Sequence, residues 1–368
     1  MRSALVPAST RTLPHCAAIA GLLFLISCGG STSTPATSST TTATNAYAAA
    51  YQKATFAAGV TVSYPSSCSM TIAASGLPYQ HQVYYLAPVT TGGTVVATTP
   101  SGIQLGVIPY SGAISTTAKA VSATFNTCPT KAASTTATGM GAIGFIFSGT
   151  VLFDPYEATS TVALSDNASY TFASTACGGS TCTASFLDPC NQHTAGGMGG
   201  STWHFHGNPN CWTSVADGTS NGPSHIIGIA LDGYPIYGGR DINGAVVSTS
   251  ALDACNGITS PTPEFPSGAY HYVLPVDANG NALTTKQSSI NCYSGTVSAT
   301  LSASMQKLAC KMPFLLANGK VRLPDGREVS RREAMAWMQQ TMPAMQMAGM
   351  TIPAAPSTAV SKARPPAA

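Results

Sequence analysis

The sequence predicts a mainly β protein: a β-sandwich or irregular barrel with long disulfide-stapled loops, plus a small C-terminal hairpin–helix appendage. Three observations lead there. Between Val60 and Gly295, short runs rich in Thr, Val, Tyr and Ile are punctuated by Gly, Pro and Asn, the pattern of strands separated by turns. No capped helical periodicity interrupts them. Eleven cysteines in a chain with only 8% charged residues point away from a reducing cytosol and toward disulfides.

In chain order, residues 1–28 read as an export signal. Arg2 and Arg11 are its only charges, and the apolar run from Cys16 to Ile26 is too short to span a bilayer but suits a signal core. The segment ends Leu25-Ile26-Ser27-Cys28, which has the form of a lipobox with Cys28 as the lipidated residue. An exported, membrane-anchored lipoprotein of the periplasm or cell surface is therefore expected. Residues 29–58, mostly Gly, Ser, Thr, Ala and Pro, read as a flexible linker.

Residues 59–300 form the expected β-rich domain, with strand-like runs at Val60–Tyr64, Gln82–Leu86, Ile143–Phe147 and Ala269–Leu274. Residues 301–352 hold a predicted hairpin around Pro324-Asp325-Gly326. A capping box, Ser330-Arg331-Arg332-Glu333, then opens a helix. Met335, Met338, Met342 and Met345 follow at helical spacing, an apolar face for docking on the body or a protein partner, or thioether ligands for copper(I). Residues 353–368 read as a disordered tail.

The net charge of +3 is too small and too dispersed for nucleic-acid binding, so none is expected. It is also uneven. Residues 29–304 hold five basic and ten acidic groups, a mildly acidic body suited to cations, whereas residues 305–368 hold nine basic and three acidic groups.

With Cys16 removed and Cys28 lipidated, nine cysteines remain. Spacing suggests Cys177–Cys182, Cys190–Cys211 and Cys255–Cys292, with Cys68–Cys128 over a longer span and Cys310 left over. Connectivity stays open on spacing alone. No CxxC pair is present, which favours disulfides over metal thiolates.

The most informative stretch runs from Asp188 to Gly295, where one pattern occurs twice. Asp188-Pro189-Cys190-Asn191 leads through a loop to Trp203-His204-Phe205-His206, then Pro209 and Cys211. Asp253-Ala254-Cys255-Asn256 leads to Tyr270-His271-Tyr272-Val273, then Pro275 and Cys292. Such repetition indicates one supersecondary unit used twice. Between the copies lies Ser224-His225-Ile226-Ile227-Gly228, continuing to Leu231-Asp232-Gly233-Tyr234-Pro235. Taken together these segments resemble the YHYH-domain family of secreted bacterial proteins over about residues 60–295. The name motif falls on Trp203-His204-Phe205-His206, with both tyrosines replaced by other aromatics, and Val273 stands where a second histidine often sits. The resemblance implies an extracytoplasmic β-rich domain and assigns no activity.

His204 and His206, two apart on a strand, project from one face and offer two nitrogens to one ion. Five of the seven histidines, His193, His204, His206, His225 and His271, fall within 79 residues. They are the expected metal ligands, with His204, His206 and His271 first and His193 or His225 completing the set; His81 is a distant candidate. Imidazoles without thiolates suit copper, with zinc next. Asp232 reads first as a turn residue, and second as a carboxylate orienting a ligand; Asp188 and Asp253 read as loop caps with the same second role. Three functions stay open: a metal-binding protein, a metal-dependent hydrolase or oxidase using the same histidines, and a non-catalytic surface module with structural histidines.

Overall fold

A computed structural model describes residues 45–301, except 81–82, 90–92, 110–119, 140, 158–160 and 195–201. It also describes 314–315, 321–322, 327–330 and 333. The expected signal with Cys28, most of the linker, His81, Cys310, the Met stripe and the tail lie outside the described residues.

The protein is mainly β, in several sheets, none closed into a barrel among the described residues. The largest sheet has eight strands, in the order Gln192–Thr194, Trp203–Phe205, Thr150–Phe153, Ala142–Ile146, Ile226–Ala230, Pro235–Tyr237, Ala269–Val273 and Gly257–Ser260. That order divides into two like halves. Each half holds a hairpin (Ala142–Ile146 with Thr150–Phe153; Ile226–Ala230 with Pro235–Tyr237) and a second antiparallel pair built from one copy of the Asp-x-Cys-Asn unit. Within a half the two pairs join by parallel pairing, through His204 and Val151 on one side and Ile236 and Tyr272 on the other. The halves meet where Ile226–Ala230 runs antiparallel to Ala142–Ile146. Gly228 sits at this junction, where a Cβ would come within 2.5 Å of the Phe145 carbonyl oxygen, so the close approach of the strands needs glycine.

The repeated sequence has a repeated backbone. Asn191 and Asn256 are the two non-glycine residues with positive φ, 66° and 65°, among the described residues. In each unit the aspartate caps the turn: Asp188 Oδ1 accepts from the amides of Cys190 and Gln192, and Asp253 Oδ1 from those of Cys255 and Gly257. Loop capping, the first reading of both aspartates, is what the structure contains.

A second sheet pairs Thr61–Ser66, Ser69–Ala74, Val121–Asn126 and Thr300–Leu301. Met70, Ile72 and Phe125 from it join Phe145, Ile146 and Ile229 of the large sheet in one buried cluster. Each such side chain taken from water contributes about 1.5–3 kcal/mol.

The linker ends earlier than expected. Ala46–Tyr51 is a helix capped by Asn45, whose side chain accepts from the Tyr47 amide. Tyr51 is fully buried and donates to the Gly233 carbonyl at 2.8 Å, which fastens the segment to the body. A second short helix, Asn210–Ala216, escaped the periodicity because it spans only seven residues and has no side-chain cap. All four suggested disulfides are present: Cys68–Cys128, Cys177–Cys182, Cys190–Cys211 and Cys255–Cys292. Such cross-links suit an oxidising compartment. No helix among the described residues is long and apolar enough to cross a membrane.

In the appendage, Val321–Arg322 pairs antiparallel with Glu328–Val329, as the predicted hairpin requires. The capping box closes on itself: the Ser330 amide donates to Glu333 Oε2 and the Glu333 amide to Ser330 Oγ.

Candidate metal centre

Alternation along Trp203–Phe205 sends Trp203 and Phe205 to one face and His204 to the other, and His206 follows on the same side as His204. Trp203 packs on Tyr85 and Phe205 enters the core, which locks the strand's orientation. Antiparallel register sets His193 opposite His204. The Cys190–Cys211 disulfide closes the loop that carries all three histidines. Their relative exposures are 2% for His193, 3% for His204 and 1% for His206.

The three rings converge. His206 Nε2 lies 3.1 Å from both His204 Nε2 and His193 Nε2. Glu157 Oε1 comes in from the loop after Thr150–Phe153, 3.0 Å from His206 Nε2 and 3.1 Å from His193 Nε2. That oxygen has no aligned hydrogen bond, and the four ligand atoms lie together in one buried cluster. Among the described residues, Glu157, His193, His204 and His206 form the one group arranged to hold a metal ion.

The tautomers are partly dictated by the backbone. His204 Nδ1 is 3.0 Å from the Thr202 carbonyl oxygen and His206 Nδ1 is 2.6 Å from that of Asp154. A carbonyl only accepts, so each Nδ1 carries the proton and each neutral ring presents a bare Nε2 lone pair to the centre. Phe153 stacks on His204 at 3.9 Å between ring centroids, and Phe186 meets His193 edge-on at 4.6 Å. These rings exclude water and lower the local dielectric.

Electrostatics follow from that burial. Desolvation and the neighbouring imidazoles hold His204 well below the ordinary histidine range, and desolvation lowers His193 against the pull of Glu157. Desolvation also opposes protonation of His206, but the Glu157 carboxylate outweighs it and raises that residue. Burial would raise Glu157, yet the facing His193 and His206 hold it well below its usual value. The ionised carboxylate and the neutral rings of His193 and His204 are in the protonation states a metal needs, and His206 would release its proton on binding one.

Not every expected residue joins the group. His271 repeats the pose of His204, with Nδ1 3.0 Å from the Ala269 carbonyl oxygen, but Ile258 faces it where His193 faces His204. Val273 takes the place of His206. Both Val273 and His206 donate a backbone N–H to the asparagine carbonyl of their own unit. The second half therefore keeps the frame and lacks the other ligands. His225 pairs with Glu264 at 2.6 Å, in a network with Tyr237, outside the group.

Asp232 is a turn residue whose Oδ2 accepts from Tyr272 Oη and the Gly295 amide, with no histidine partner. Asp188 accepts from Gln192 Nε2 as well as the backbone, and Asp253 from Tyr270 Oη; neither holds an imidazole. Burial pushes Asp188 up to about 6. Glu157 is the ligand that sequence reasoning missed, because it lies 36 residues before His193. The available signal was the scarcity of carboxylates in the body, only ten between residues 29 and 304.

Fold and site define a disulfide-stapled domain whose large β-sheet is built from two like halves, one of which carries a buried tris-imidazole–carboxylate cluster. Residues 122–245 and 240–285 match the model of the family described as YHYH protein, the family that the sequence resemblance named. No curated protein and no solved structure matches the chain significantly.

Proposed function

We propose that this is an exported, lipid-anchored protein whose YHYH domain binds a divalent transition metal through His193, His204, His206 and Glu157. One observation carries the reading: four buried ligand atoms converge, with two of the imidazole lone pairs aimed inward by backbone carbonyls. Protons on the rings can bridge some of these 3.0–3.1 Å contacts, whereas one cation among the four atoms would engage all of them at once. Ligands at roughly 2.0–2.1 Å from an ion stand about 2.9 Å apart at right angles and about 3.3 Å apart in a tetrahedron, and the observed separations fall between the two. His206 has three such neighbours, whereas a square plane allows two. Zinc therefore comes before copper, reversing the order favoured by composition. Convergence also supports this reading over a surface module with structural histidines.

Export rests on the N-terminal signal pattern together with the disulfides. The Cys28 anchor and a protein partner for the Met-rich segment belong to the proposal on sequence grounds alone. The test is metal analysis of the full chain reconstituted with zinc or copper. The wild type and His271→Ala retain one equivalent, and His204→Ala/His206→Ala loses it while keeping its far-ultraviolet dichroism. Stoichiometric binding by the folded double variant would remove these residues from the site.

A further inference from the structure

A cleft of about 250 Å³ lies apart from the histidine cluster and is built by both halves of the large sheet. Residues 208–217, which follow the strand Trp203–Phe205, contribute one part of its lining. Residues 239–240 and 276–280, which follow Pro235–Tyr237 and Ala269–Val273, contribute another. The lining is unlike that of an apolar ligand pocket. Val276 and two glycines aside, every lining residue is Asn, Ser, Thr, Asp or Arg, and no aromatic ring is among them. Neither a lipid chain nor a flat heterocycle is matched by such a surface.

The polar groups are already held in place. Buried Asn208 donates through Nδ2 to Asn210 Oδ1 at 2.8 Å and accepts from Thr213 Oγ1 at 3.0 Å. Half-buried Arg240 donates through Nη1 to the Gly244 carbonyl at 2.9 Å and through Nη2 to Asn221 Oδ1 at 3.2 Å. Asp217 Oδ1 accepts from the His225 amide at 2.8 Å, and Ser224 Oγ stands 3.5 Å from Asp217 Oδ2. One guanidinium and one carboxylate thus line the same cleft without pairing. Among the described residues every ion pair involves a histidine, and the hydrogen bonds of both Arg240 and Asp217 go to neutral groups. A guanidinium has five N–H donors and a carboxylate about four acceptor sites, so both keep capacity for a ligand.

That pairing of charges selects the ligand class. A net anion meets repulsion from Asp217, and a net cation meets it from Arg240. A hydroxyl both donates and accepts, so an uncharged ring bearing several of them satisfies the carboxylate, the guanidinium and the carboxamides together. We infer that this cleft binds a single uncharged sugar ring. Its volume falls just below the roughly 300–1,000 Å³ of drug-sized pockets, which suits one ring and not a chain. Binding is by hydrogen bonds, with no covalent bond made or broken. None of Glu157, His193, His204 and His206 lines the cleft, so the inference does not rest on the metal reading.

The test is saturation-transfer NMR and calorimetric titration of the full chain with D-glucose, D-galactose, D-mannose and N-acetyl-D-glucosamine, with L-serine as a zwitterionic comparison. At least one sugar should bind with a Kd of about 1 mM, the strength that a few hydrogen bonds to one ring allow, and more tightly than L-serine. Asp217→Asn keeps the shape and removes the charge, so that sugar should bind about tenfold more weakly. Asn279 is exposed at the cleft, and Asn279→Ala leaves the fold intact and should weaken the sugar about threefold. If Asp217→Asn fails to fold, the Asn279 variant decides. No binding of any of the four sugars at about 50 mM would overturn the inference. Tighter binding of L-serine, or an unchanged sugar affinity in either folded variant, would overturn it as well.

Discussion

Asn191 and Asn256 offer a paired perturbation in which one structural role is tested against two functional contexts. Both are buried and left-handed, at φ 66° and 65°. Asn191 Nδ2 donates to the Asn208 carbonyl at 2.7 Å; Asn256 Nδ2 donates to the carbonyls of Gln287 and Ser289 at 2.6 and 2.9 Å. Alanine in the left-handed region costs about 1–2 kcal/mol. Each lost buried hydrogen bond costs about 1 kcal/mol or slightly more. Asn191→Ala is therefore expected to lose about 2–3 kcal/mol and Asn256→Ala about 3–4 kcal/mol, read from urea unfolding of metal-free protein with disulfides intact. Glycine loses the same side-chain bonds without the strain, so each Asn→Gly variant should recover about 1 kcal/mol.

The two sites then diverge in function. Asn191 joins Cys190 to the strand of His193 and ties down Asn208, two residues past His206, so its alanine variant should weaken zinc about tenfold. Asn256→Ala, in the half without the cluster, should leave zinc affinity unchanged. Glycine variants no more stable than the alanine ones at both positions would refute the backbone argument. Equal loss of zinc affinity at Asn256 would refute the separation of the halves.

Two further outcomes follow from buried polar groups away from the centre. Asp232→Ala removes the acceptor of the Tyr272 hydroxyl, which keeps only the bond it accepts from the Ser294 amide, and of the buried Gly295 amide, and should destabilise by about 2–4 kcal/mol in chemical unfolding, with metal stoichiometry unchanged. The His225–Glu264 pair should give a pH-dependent contribution. The Glu264 hydrogen bond raises His225 despite partial burial, so that part of the stability is present below the ordinary histidine value of about 6.5 and fades as pH rises through the raised value. Burial acts to raise Glu264, but His225 and Tyr237 hold it low, so its part is present above its usual value of about 4.5 and fades as pH falls through the lowered one. Asp217, pushed up to about 6 by burial, adds its charge to the same corner above that pH. His225→Gln should thus cost most near pH 5.5 and nothing near pH 9 in thermal unfolding. The size stays below about 1 kcal/mol, because the His225 side chain is 38% exposed and screened.

The elements legible in sequence were those with a local cause. Strands at Thr61–Ser66, Ala142–Ile146 and Ala269–Val273 appear within a residue or two of the runs that signalled them, because β-branched and aromatic alternation is a short-range property. The hairpin before Ser330 and its capping box were legible for the same reason. The helix Ala46–Tyr51 was not. Its composition is that of a tether, and only docking of Tyr51 against Gly233 and the core makes its order favourable.

By itself, then, the sequence determined a mainly β body, the doubled Asp-x-Cys-Asn unit and the same-face pair His204 and His206, and it suggested the four disulfide pairings that the structure contains. Each of these is written in spacing along the chain. Only the tertiary structure decided which further groups share their centre, because that depends on which strands become neighbours. Parallel pairing of Trp203–Phe205 with Thr150–Phe153 carries the following loop to the cluster and delivers Glu157. The same two-half arrangement places His271 in the opposite half, with Ile258 and Val273 beside it instead of histidines. Ligand atoms must meet within about 3 Å, and a distance that small is set by sheet register and loop path rather than by proximity in sequence.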